Sequence, residues 1–432
     1  QRALLQLNSR HRADALGSIE EAIALFARQT PAPASGIQRQ AHNAMGRILA
    51  ADNRWDEAIA AFQRAETLGA KEFGGQSYQA AVNRYWIARL QVAQDKVAEA
   101  KASFRNVLAI YEKSLGENHY ETRQVKSRLG LLLCLRGEPD AGLAMLQSLL
   151  NQPVPADHAD DLVSDFVRAK LGEIYNDRGD LAEAERMTKP VVMAADGDKP
   201  SQDRGMALLA HAHTLALRGR FNEAWQSHAR AAAVFQSLGA ARSGVGVYVP
   251  IMAVDIANME GRPERAAVAL ASAAAVPQAA GQGPSRQLSL LQLEGDLRMV
   301  EGKPAAALLL YRQLIALLAQ TPNGSSEHER LALVHLGEGR ALLAMADLPA
   351  ARQALEKALA HRVQTGVAHG IWPGQIRSYL ALVLAQQGKH SEALAQQALA
   401  RADLQSQQPL AAVFTAPLTQ LEQVAAKRNG RD

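Results

Sequence analysis

The sequence is poor in cysteine, in aromatic residues and in long apolar segments. Cys134 is the only cysteine in 432 residues, so the chain forms neither an internal disulfide nor a cysteine-rich metal site, and redox chemistry does not fix its compartment. The longest uncharged segments, Ala266 to Ser285 and Gln405 to Leu421, are interrupted by prolines. We therefore expect no membrane span in this chain.

The sequence also lacks a large excess of charge of either sign. The formal net charge is +4 and the pI about 9.1, but positive and negative residues alternate along most of the chain. A nucleic-acid-binding surface would show a basic stripe, so we predict no nucleic-acid partner. Aromatic residues make up only 5% of the chain while Ala and Leu are abundant, which favours packed helices over strands.

A six-residue pattern recurs along almost the whole sequence, as in Gly219-Arg220-Phe221-Asn222-Glu223-Ala224. Gly219 suits the left-handed backbone conformation that ends one helix, and Asn222 can cap the start of the next helix. Ala224 allows the two helices to approach closely. The last residues of nine regular copies recur every 40 to 44 residues, and they are Ala58, Ala100, Gly142, Ala184, Ala224, Ala266, Ala307, Ala351 and Ala393. We call them the anchor residues. A tenth, degenerate copy runs from Gly17 to Ala22.

Two further positions repeat with the anchors. Twelve residues before each anchor stands a small residue in eight of nine copies: Gly46, Ala88, Gly130, Gly172, Ala212, Gly295, Gly339 and Ala381, with Val254 as the exception. Four residues after most anchors stands a large apolar residue, such as Phe62 or Tyr311. The exceptions are Thr188, His228 and Gln397, where we expect less apolar contacts between helices.

The constant spacing predicts an all-α protein. We expect a right-handed superhelical solenoid of antiparallel helix pairs with a C-terminal capping helix. The predicted divisions are a degenerate first repeat or lead-in helix with a connector at 1–36, nine helical repeats at 37–404, and a polar capping helix and tail at 405–432. Pro250 should kink or delay the first helix of the sixth repeat.

The repeated units resemble the tetratricopeptide repeat superfamily, in its long form of roughly 42 residues. The resemblance is carried by Phe104 to Gly137, where Leu115-Gly116-Glu117-Asn118-His119 is similar to the family's turn between repeats, although Tyr120 replaces the usual Pro. This resemblance implies a repeat domain like those of kinesin light chains and bacterial signalling proteins, which bind peptides in a concave groove. Only Asn43 matches the Asn ladder of kinesin light chains, so their cargo specificity is not carried over.

Residues that could carry chemistry are few. His211 and His213 stand two positions apart on a helix and so point in different directions, which argues against a metal site. The sequence contains no nucleophile elbow and no paired catalytic carboxylates, and Cys134 lies in an apolar helix where packing is its expected role. We therefore predict no catalytic residues, no cofactor and no metal, and hence a protein that is not an enzyme.

The repeat register predicts which residues face the concave side. A partner-binding groove is predicted at Asn43, Arg47, Tyr85, Arg89, Arg128, Lys170, Glu173 and Asn176. A secondary groove is predicted at His213, Tyr248, Asp255 and Asn258, with Asp296, Arg340 and Tyr379 further along. The first set is mostly basic and includes an aromatic pair, so it suits an extended acidic peptide or protein segment.

Three functions stay open at this stage. The first is a non-enzymatic scaffold or sensor module that binds a protein segment in its groove. The second is the sensory domain of a bacterial serine/threonine kinase or receptor. The third is a domain that senses a small molecule, with its pocket at Tyr248 and Pro250. The chain begins at Gln1 without an initiator Met, so we expect a processed protein or part of a longer one, cytoplasmic or periplasmic in a bacterium, with the periplasm favoured if a membrane anchor precedes it.

Overall fold

The computed structural model describes residues 12–29, 34–153, 162–194, 200–239, 246–276, 283–320 and 325–429. Within these ranges every regular element is a helix, so the predicted all-α fold is confirmed. The twenty helices are α1 Arg12–Arg28, α2 Ser35–Ala51, α3 Trp55–Phe73, α4 Tyr78–Ala93, α5 Val97–Leu115, α6 Tyr120–Leu135, α7 Pro139–Asn151, α8 Leu162–Arg178, α9 Leu181–Ala194, α10 Gln202–Leu217, α11 Phe221–Ser237, α12 Tyr248–Glu260, α13 Pro263–Ala275, α14 Gly283–Val300, α15 Pro304–Leu318, α16 Ser325–Ala344, α17 Leu348–Gln364, α18 Ile371–Gln386, α19 His390–Gln405 and α20 Ala412–Asn429. No described helix combines the length and the apolarity that crossing a membrane requires.

The helices form pairs in sequence order. Even-numbered helices from α2 to α18 are each followed, after only two or three residues, by the helix that packs against them. Such short connections force the two helices of a pair to run antiparallel. The anchor residues lie in these contacts: the eight alanines are at most 3% exposed, and Gly142 is buried.

The turn inside each pair depends on a left-handed residue. At all nine regular copies of the pattern, the first residue has a φ between 58° and 103°, which confirms the role predicted for Gly219. The predicted capping role of Asn222 is wrong. Helix α11 begins at Phe221, so Arg220 is the N-cap, and its side chain makes no capping bond. Asn222 has already entered the first turn, where its backbone is helical and cannot serve as a cap.

Small and large residues interlock between the helices of a pair. A Cβ placed on Gly46 would lie 2.8 Å from the Phe62 ring, and one on Gly295 would lie 2.7 Å from the Tyr311 ring. The small residue before the anchor thus receives the large residue after it. At Gly142 a Cβ would lie 2.5 Å from the backbone nitrogen of Cys134, which explains why this anchor is Gly and not Ala.

The three predicted less apolar contacts are closed by polar packing. Thr188 is fully buried, and its Oγ1 lies 2.9 Å from Nδ1 of His211. His228 Nε2 lies 2.9 Å from the carbonyl oxygen of Val249, and Gln397 is 9% exposed. Burial lowers the pKa of His211 and of His228, so both imidazoles are favoured in their neutral form.

By packing, the chain divides into two compact units, Gln1–Val167 and Arg168–Asp432. In unit 1, the largest core cluster surrounds Tyr85 and Phe104. In unit 2, the largest cluster surrounds Tyr311 and Leu355.

Unit 2 closes on itself. The indole Nε1 of Trp372, on α18, donates to the carbonyl oxygen of Asn176 on α8 at 3.0 Å. The backbone nitrogen of Ala411, just before α20, donates to the carbonyl oxygen of Leu217 on α10 at 2.8 Å. The last helices of the unit therefore contact its first ones, across about 200 residues of sequence.

Helix α20 was predicted to be a polar cap of the last pair. It does pack against α18, but its first turns are apolar and buried. Phe414 is 1% exposed and packs in a cluster with Leu181, Leu217 and Ile371. The helix therefore also seals unit 2, because its apolar side chains find a second surface on the opening helices of the unit.

Pro250 lies in the first turn of α12, which begins at Tyr248. The predicted delay of this helix is consistent with that start. In the first turn the backbone nitrogen of a residue has no intrahelical partner, so Pro is tolerated there.

Candidate functional sites: an arginine ladder in unit 1 and a cavity in unit 2

Successive first helices of unit 1 present a row of guanidinium groups over aromatic rings. The guanidinium of Arg47, on α2, lies 5.6 Å from the Trp86 ring, and that of Arg89, on α4, lies 4.6 Å from the same ring. The guanidinium of Arg128, on α6, lies 4.0 Å from the Phe166 ring. We call Arg47, Arg89 and Arg128 the arginine ladder. Each pair is held by cation–π attraction, which fixes the orientation of the charge.

The ladder is positively charged and has no acidic partner. None of its three arginines forms an ion pair with any Asp or Glu that the structure describes. The pKa of Arg89 is lowered, first by the loss of solvent around the group and then by the positive charges of Arg128 and Arg47. These charges therefore act on one another, and an anionic ligand would relieve that repulsion.

The aromatic rings of this face are already covered. Trp86 stacks on Phe62 with the ring centroids 5.9 Å apart and the planes 8° from parallel. Tyr85 is 6% exposed and Phe166 is 5% exposed. The rings thus support the arginines and offer little free face to a flat ligand.

Asn43 lies beside the ladder and holds two first helices together. Its Nδ2 donates to Oδ1 of the buried Asn83 at 2.8 Å, which joins α2 to α4. Of the eight predicted partner-binding residues, the structure thus brings Arg47, Tyr85 and Arg89 around Trp86, with Asn43 on the same pair of helices.

The other three residues of that predicted set lie in unit 2, on α8. Lys170 Nζ lies 2.7 Å from Oε2 of Glu173, so their charges offset each other. Asn176 is 1% exposed, donates from Nδ2 to the Ala210 carbonyl at 3.1 Å, and accepts from Thr214 Oγ1 at 3.0 Å. The Asn176 amide is thus occupied in joining α8 to α10.

Unit 2 contains a partly open cavity of about 300 Å³, lined by first helices of its pairs, by Arg362 of α17 and by the start of α20. Apolar lining comes from residues such as Met252, Leu336, Trp372 and Phe414. The charged and amide side chains that line it are Asp177, His213, Asp255, Asn258, Asp296, Arg340, Arg362 and Gln375. An apolar pocket with a few convergent polar groups is the usual form of a small-ligand site.

Three of the four residues predicted for the secondary groove line this cavity, namely His213, Asp255 and Asn258. Tyr248 does not line it and is 44% exposed. Tyr248 is the first residue of α12, while the cavity is bordered by positions further along that helix. The predicted grouping of Tyr248 with the other three therefore does not occur in unit 2.

The sequence did not reveal the remaining polar lining at the closure of the unit. Asp177 stands near the end of α8, Arg362 on the second helix α17, and Gln375 on α18. The predicted inner face included residues of first helices only, so Arg362 of the second helix α17 was not part of it. The feature of the sequence that could have indicated this lining is Arg362, which is followed ten residues later by Trp372.

Two of the carboxylates have partners within the cavity wall. His213 Nε2 lies 3.2 Å from Oδ2 of Asp255. Tyr311 donates its hydroxyl to Oδ1 of Asp296 at 2.8 Å, and Arg340 Nη1 lies 3.8 Å from the same oxygen. Burial raises the pKa of both carboxyls, which means that the free energy of their charged forms is increased by the loss of water.

Arg362 and Asp177 differ from these pairs. Arg362 is 3% exposed, and its guanidinium lies 5.3 Å from the Trp372 ring. Neither its guanidinium nor the Asp177 carboxylate has a hydrogen bond or an ion pair within the described part of the chain. Asp177 is exposed as a residue, but loss of water around its carboxyl, followed by the charges of Glu329 and Glu173, raises its pKa to about 7, and the charges of Arg362 and Lys170 oppose this shift.

This geometry defines the class of the protein. Tandem antiparallel helix pairs, interlocked at small residues, make the chain a helical-repeat protein. A family model described as a tetratricopeptide repeat matches residues 87–121, which run from the end of α4 to the start of α6. The predicted resemblance to that family is confirmed, while the closer likeness to kinesin light chains stays a prediction. No curated protein matches the sequence.

Several solved structures have a similar fold. A Rap protein complexed with Competence and Sporulation Factor has a TM-score of 0.50 at 9% identity, over 82% of this chain and 99% of that one. A tetratricopeptide repeat protein from Parabacteroides merdae ATCC 43184 has a TM-score of 0.44 at 15% identity, over 72% and 100%. The IFIT1 monomeric mutant with Gppp-AAAA has a TM-score of 0.47 at 15% identity, over 91% and 83%. The likeness to the Rap protein concerns the helical fold alone.

Proposed function

We propose that the protein is a non-enzymatic scaffold whose unit 1 binds an extended acidic protein segment along the arginine ladder. The fold supports the general role, since tetratricopeptide-type helical repeats generally serve protein interaction. The observation that carries the finer proposal is the ladder itself: three oriented guanidinium groups on three successive first helices, none of them neutralised by a described carboxylate.

Acidic side chains fit this surface better than nucleotides do. Carboxylates can form charge-assisted hydrogen bonds with guanidinium groups, and an extended segment can place them at successive helices. Recognition of single-stranded nucleic acid relies on bases stacking on free aromatic faces. Here Trp86 is stacked on Phe62 and covered by Arg89, so that contact is already made within the protein.

The proposal is tested with a labelled peptide that carries Glu at alternate positions, measured against the full chain by fluorescence anisotropy. We expect binding that weakens as salt is added, and none for the matched peptide with Gln in place of Glu. Arg89→Glu and Arg128→Glu should each weaken binding by roughly tenfold or more, because each removes charged hydrogen bonds and adds repulsion.

Arg64→Glu is the matched control, because Arg64 is an exposed arginine on the second helix α3. It makes the same change of charge away from the ladder and should leave the affinity nearly unchanged. Equal binding by the parent and by both ladder variants contradicts the proposal. So does Arg89-dependent binding of a single-stranded RNA of equal charge that is tighter than binding of the acidic peptide.

The role of this scaffold as the sensory domain of a kinase or receptor stays a prediction, and so does its compartment. Sequence upstream of Gln1 in the gene would test both, since a kinase domain, a signal peptide or a membrane anchor would each be legible there.

A further inference from the structure

Two opposite charges that make no hydrogen bond or ion pair within the described part of the chain line the cavity of unit 2. The Arg362 guanidinium comes from α17 and the Asp177 carboxylate from α8, and both line the same space. They do not form an ion pair with each other, although each favours the charged form of the other. Arg362 is 3% exposed while Asp177 is an exposed residue. A buried cation without a bonded counter-ion is costly, so the arrangement is best explained by a ligand that brings an anionic group to Arg362.

We propose that this cavity binds a small zwitterion, a free α-amino acid or a dipeptide, whose carboxylate pairs with Arg362 and whose ammonium group pairs with Asp177. The size is suitable, since about 300 Å³ is at the lower end of small-ligand pockets. The apolar lining by Met252, Leu336 and Phe414 offers a surface for a side chain.

Ligands with a single charge fit less well. An anion such as phosphate would satisfy Arg362 but would face three carboxylates, those of Asp177, Asp255 and Asp296. A simple amine would satisfy Asp177 but would leave Arg362 buried and unpartnered. Glu329 and Glu173 add negative charge near Asp177, which outweighs the opposing charges of Arg362 and Lys170 and favours a positive group at that end. A ligand with both charges complements Arg362 and this negative end together.

The position of the two groups gives the site a structural consequence. Trp372 lies under the Arg362 guanidinium and donates to the carbonyl of Asn176, the residue next to Asp177. Arg362 and Asp177 therefore stand on opposite sides of the contact that closes unit 2. A ligand that bridges them ties those sides together, and its binding should protect the closure from local opening.

The test uses the full chain and the free L-α-amino acids together with glycylglycine, each measured by thermal shift and then by isothermal titration. We expect at least one to bind and to slow amide hydrogen exchange at Leu181 and Ala411. The N-acetyl form and the carboxamide form of that ligand each lack one charge. Each should bind roughly tenfold to a hundredfold more weakly, as loss of one charged hydrogen-bonded contact predicts.

Arg362→Gln and Asp177→Asn should each weaken the binding of the free ligand by a similar factor. Arg312→Gln, an exposed arginine on α15, is the matched control and should leave binding unchanged. If Arg362→Gln does not fold, as judged by circular dichroism, the blocked-ligand series on the parent chain decides the question.

The proposal is overturned if no amino acid and no dipeptide binds, or if a blocked form binds as well as the free one. Inorganic phosphate that binds in an Arg362-dependent manner without any amine would also overturn it. The result is independent of the arginine ladder, because Arg89→Glu changes unit 1 alone and should leave binding of the zwitterion as it is.

Discussion

At the scale of single residues, the pair turns show how few positions a repeat must specify. The first residue of the pattern adopts a left-handed backbone in every regular copy, and six of the nine are Gly. Asn53 and Asp95 are residue types that tolerate this conformation through their short polar side chains. Ala346, with a φ of 62°, is neither a glycine nor a residue with such a polar side chain. Its Cβ is therefore held against the following carbonyl.

Ala346→Gly should stabilise the protein by about 0.5–1 kcal/mol, because the relief of the left-handed strain exceeds the added entropy of the unfolded chain. Chemical denaturation of unit 2 measures it. The matched control is Gly302→Ala, at a turn of the same kind with φ 71° and no atom near the new Cβ, which should destabilise by a similar amount. Loss of stability in Ala346→Gly would show that the turn carries no strain.

The cavity carboxyls give residue-scale pH dependence with a defined sign. The folded-state pKa of Asp177 is raised to about 7, while an aspartate in the unfolded chain titrates at about 4. Between these two values the folded protein binds a proton that the unfolded chain has lost. Stability contributed by this group therefore falls as pH rises from about 4 to about 7. Asp255 and Asp296 are shifted in the same direction.

Asp177→Asn should remove that dependence. The variant should gain stability relative to the parent as the pH rises through this interval, and the difference should stay constant above about pH 7. Urea denaturation at a series of pH values measures it. Glu264→Gln, an exposed position in the same unit, controls for the loss of one negative charge. A difference that does not change with pH would mean that Asp177 titrates as it does in the unfolded chain.

At the scale of helices, a helix pair is specified by three positions that act together. The anchor lets the backbones approach, the small residue before it leaves a gap, and the large residue after it fills the gap, as Phe62 fills the space at Gly46. Gly142 extends this to a place where even a methyl group would meet backbone atoms, those of Cys134 and Gly130. Helix α20 follows a different rule, because it packs against α18 and also joins the cluster that contains Leu181 and Leu217 of the opening helices.

Phe414→Ala should open the end of unit 2. Removing a fully buried ring typically lowers the free energy of unfolding by about 3–5 kcal/mol, and Phe414 is 1% exposed among the closing residues. Hydrogen exchange should accelerate at Ala411 and Leu181, while unit 1 amides stay protected. Phe73→Ala, at a ring that is 46% exposed, is the control. If the free energy of unfolding falls by less than about 1 kcal/mol and hydrogen exchange is unchanged, the closing role of α20 is contradicted.

At the scale of the whole chain, two units made from one repeat carry different sites. Unit 1 carries the arginine ladder on its first helices, and unit 2 arranges the corresponding helices around a partly open cavity. The difference follows from the last helices: once α18 and α20 contact α8 and α10, the inner face of unit 2 becomes a cavity wall.

The sequence by itself determined the helix pairs, their turns and their interlocking contacts. These features depend on residues that are close along the chain, and the period repeats each of them nine times, so a local pattern is sufficient. Three residues that the register assigned to the inner side, His213, Asp255 and Asn258, line the cavity of unit 2. The register misplaced Asn222 because a shift of two residues moves a side chain from the cap into the helix.

Only the tertiary structure decided the closure of unit 2 and the site that the closure forms. Trp372 and Asn176 are 196 residues apart, and Gln407 and Leu181 are 226 apart, so no local pattern signals that they meet. Their contact depends on small rotations between successive pairs, which add up along the unit and are set by side-chain packing at every interface. Arg362 and Asp177 face one cavity for that reason, and for the same reason Asn176, predicted to bind a partner, is instead a buried link between helices.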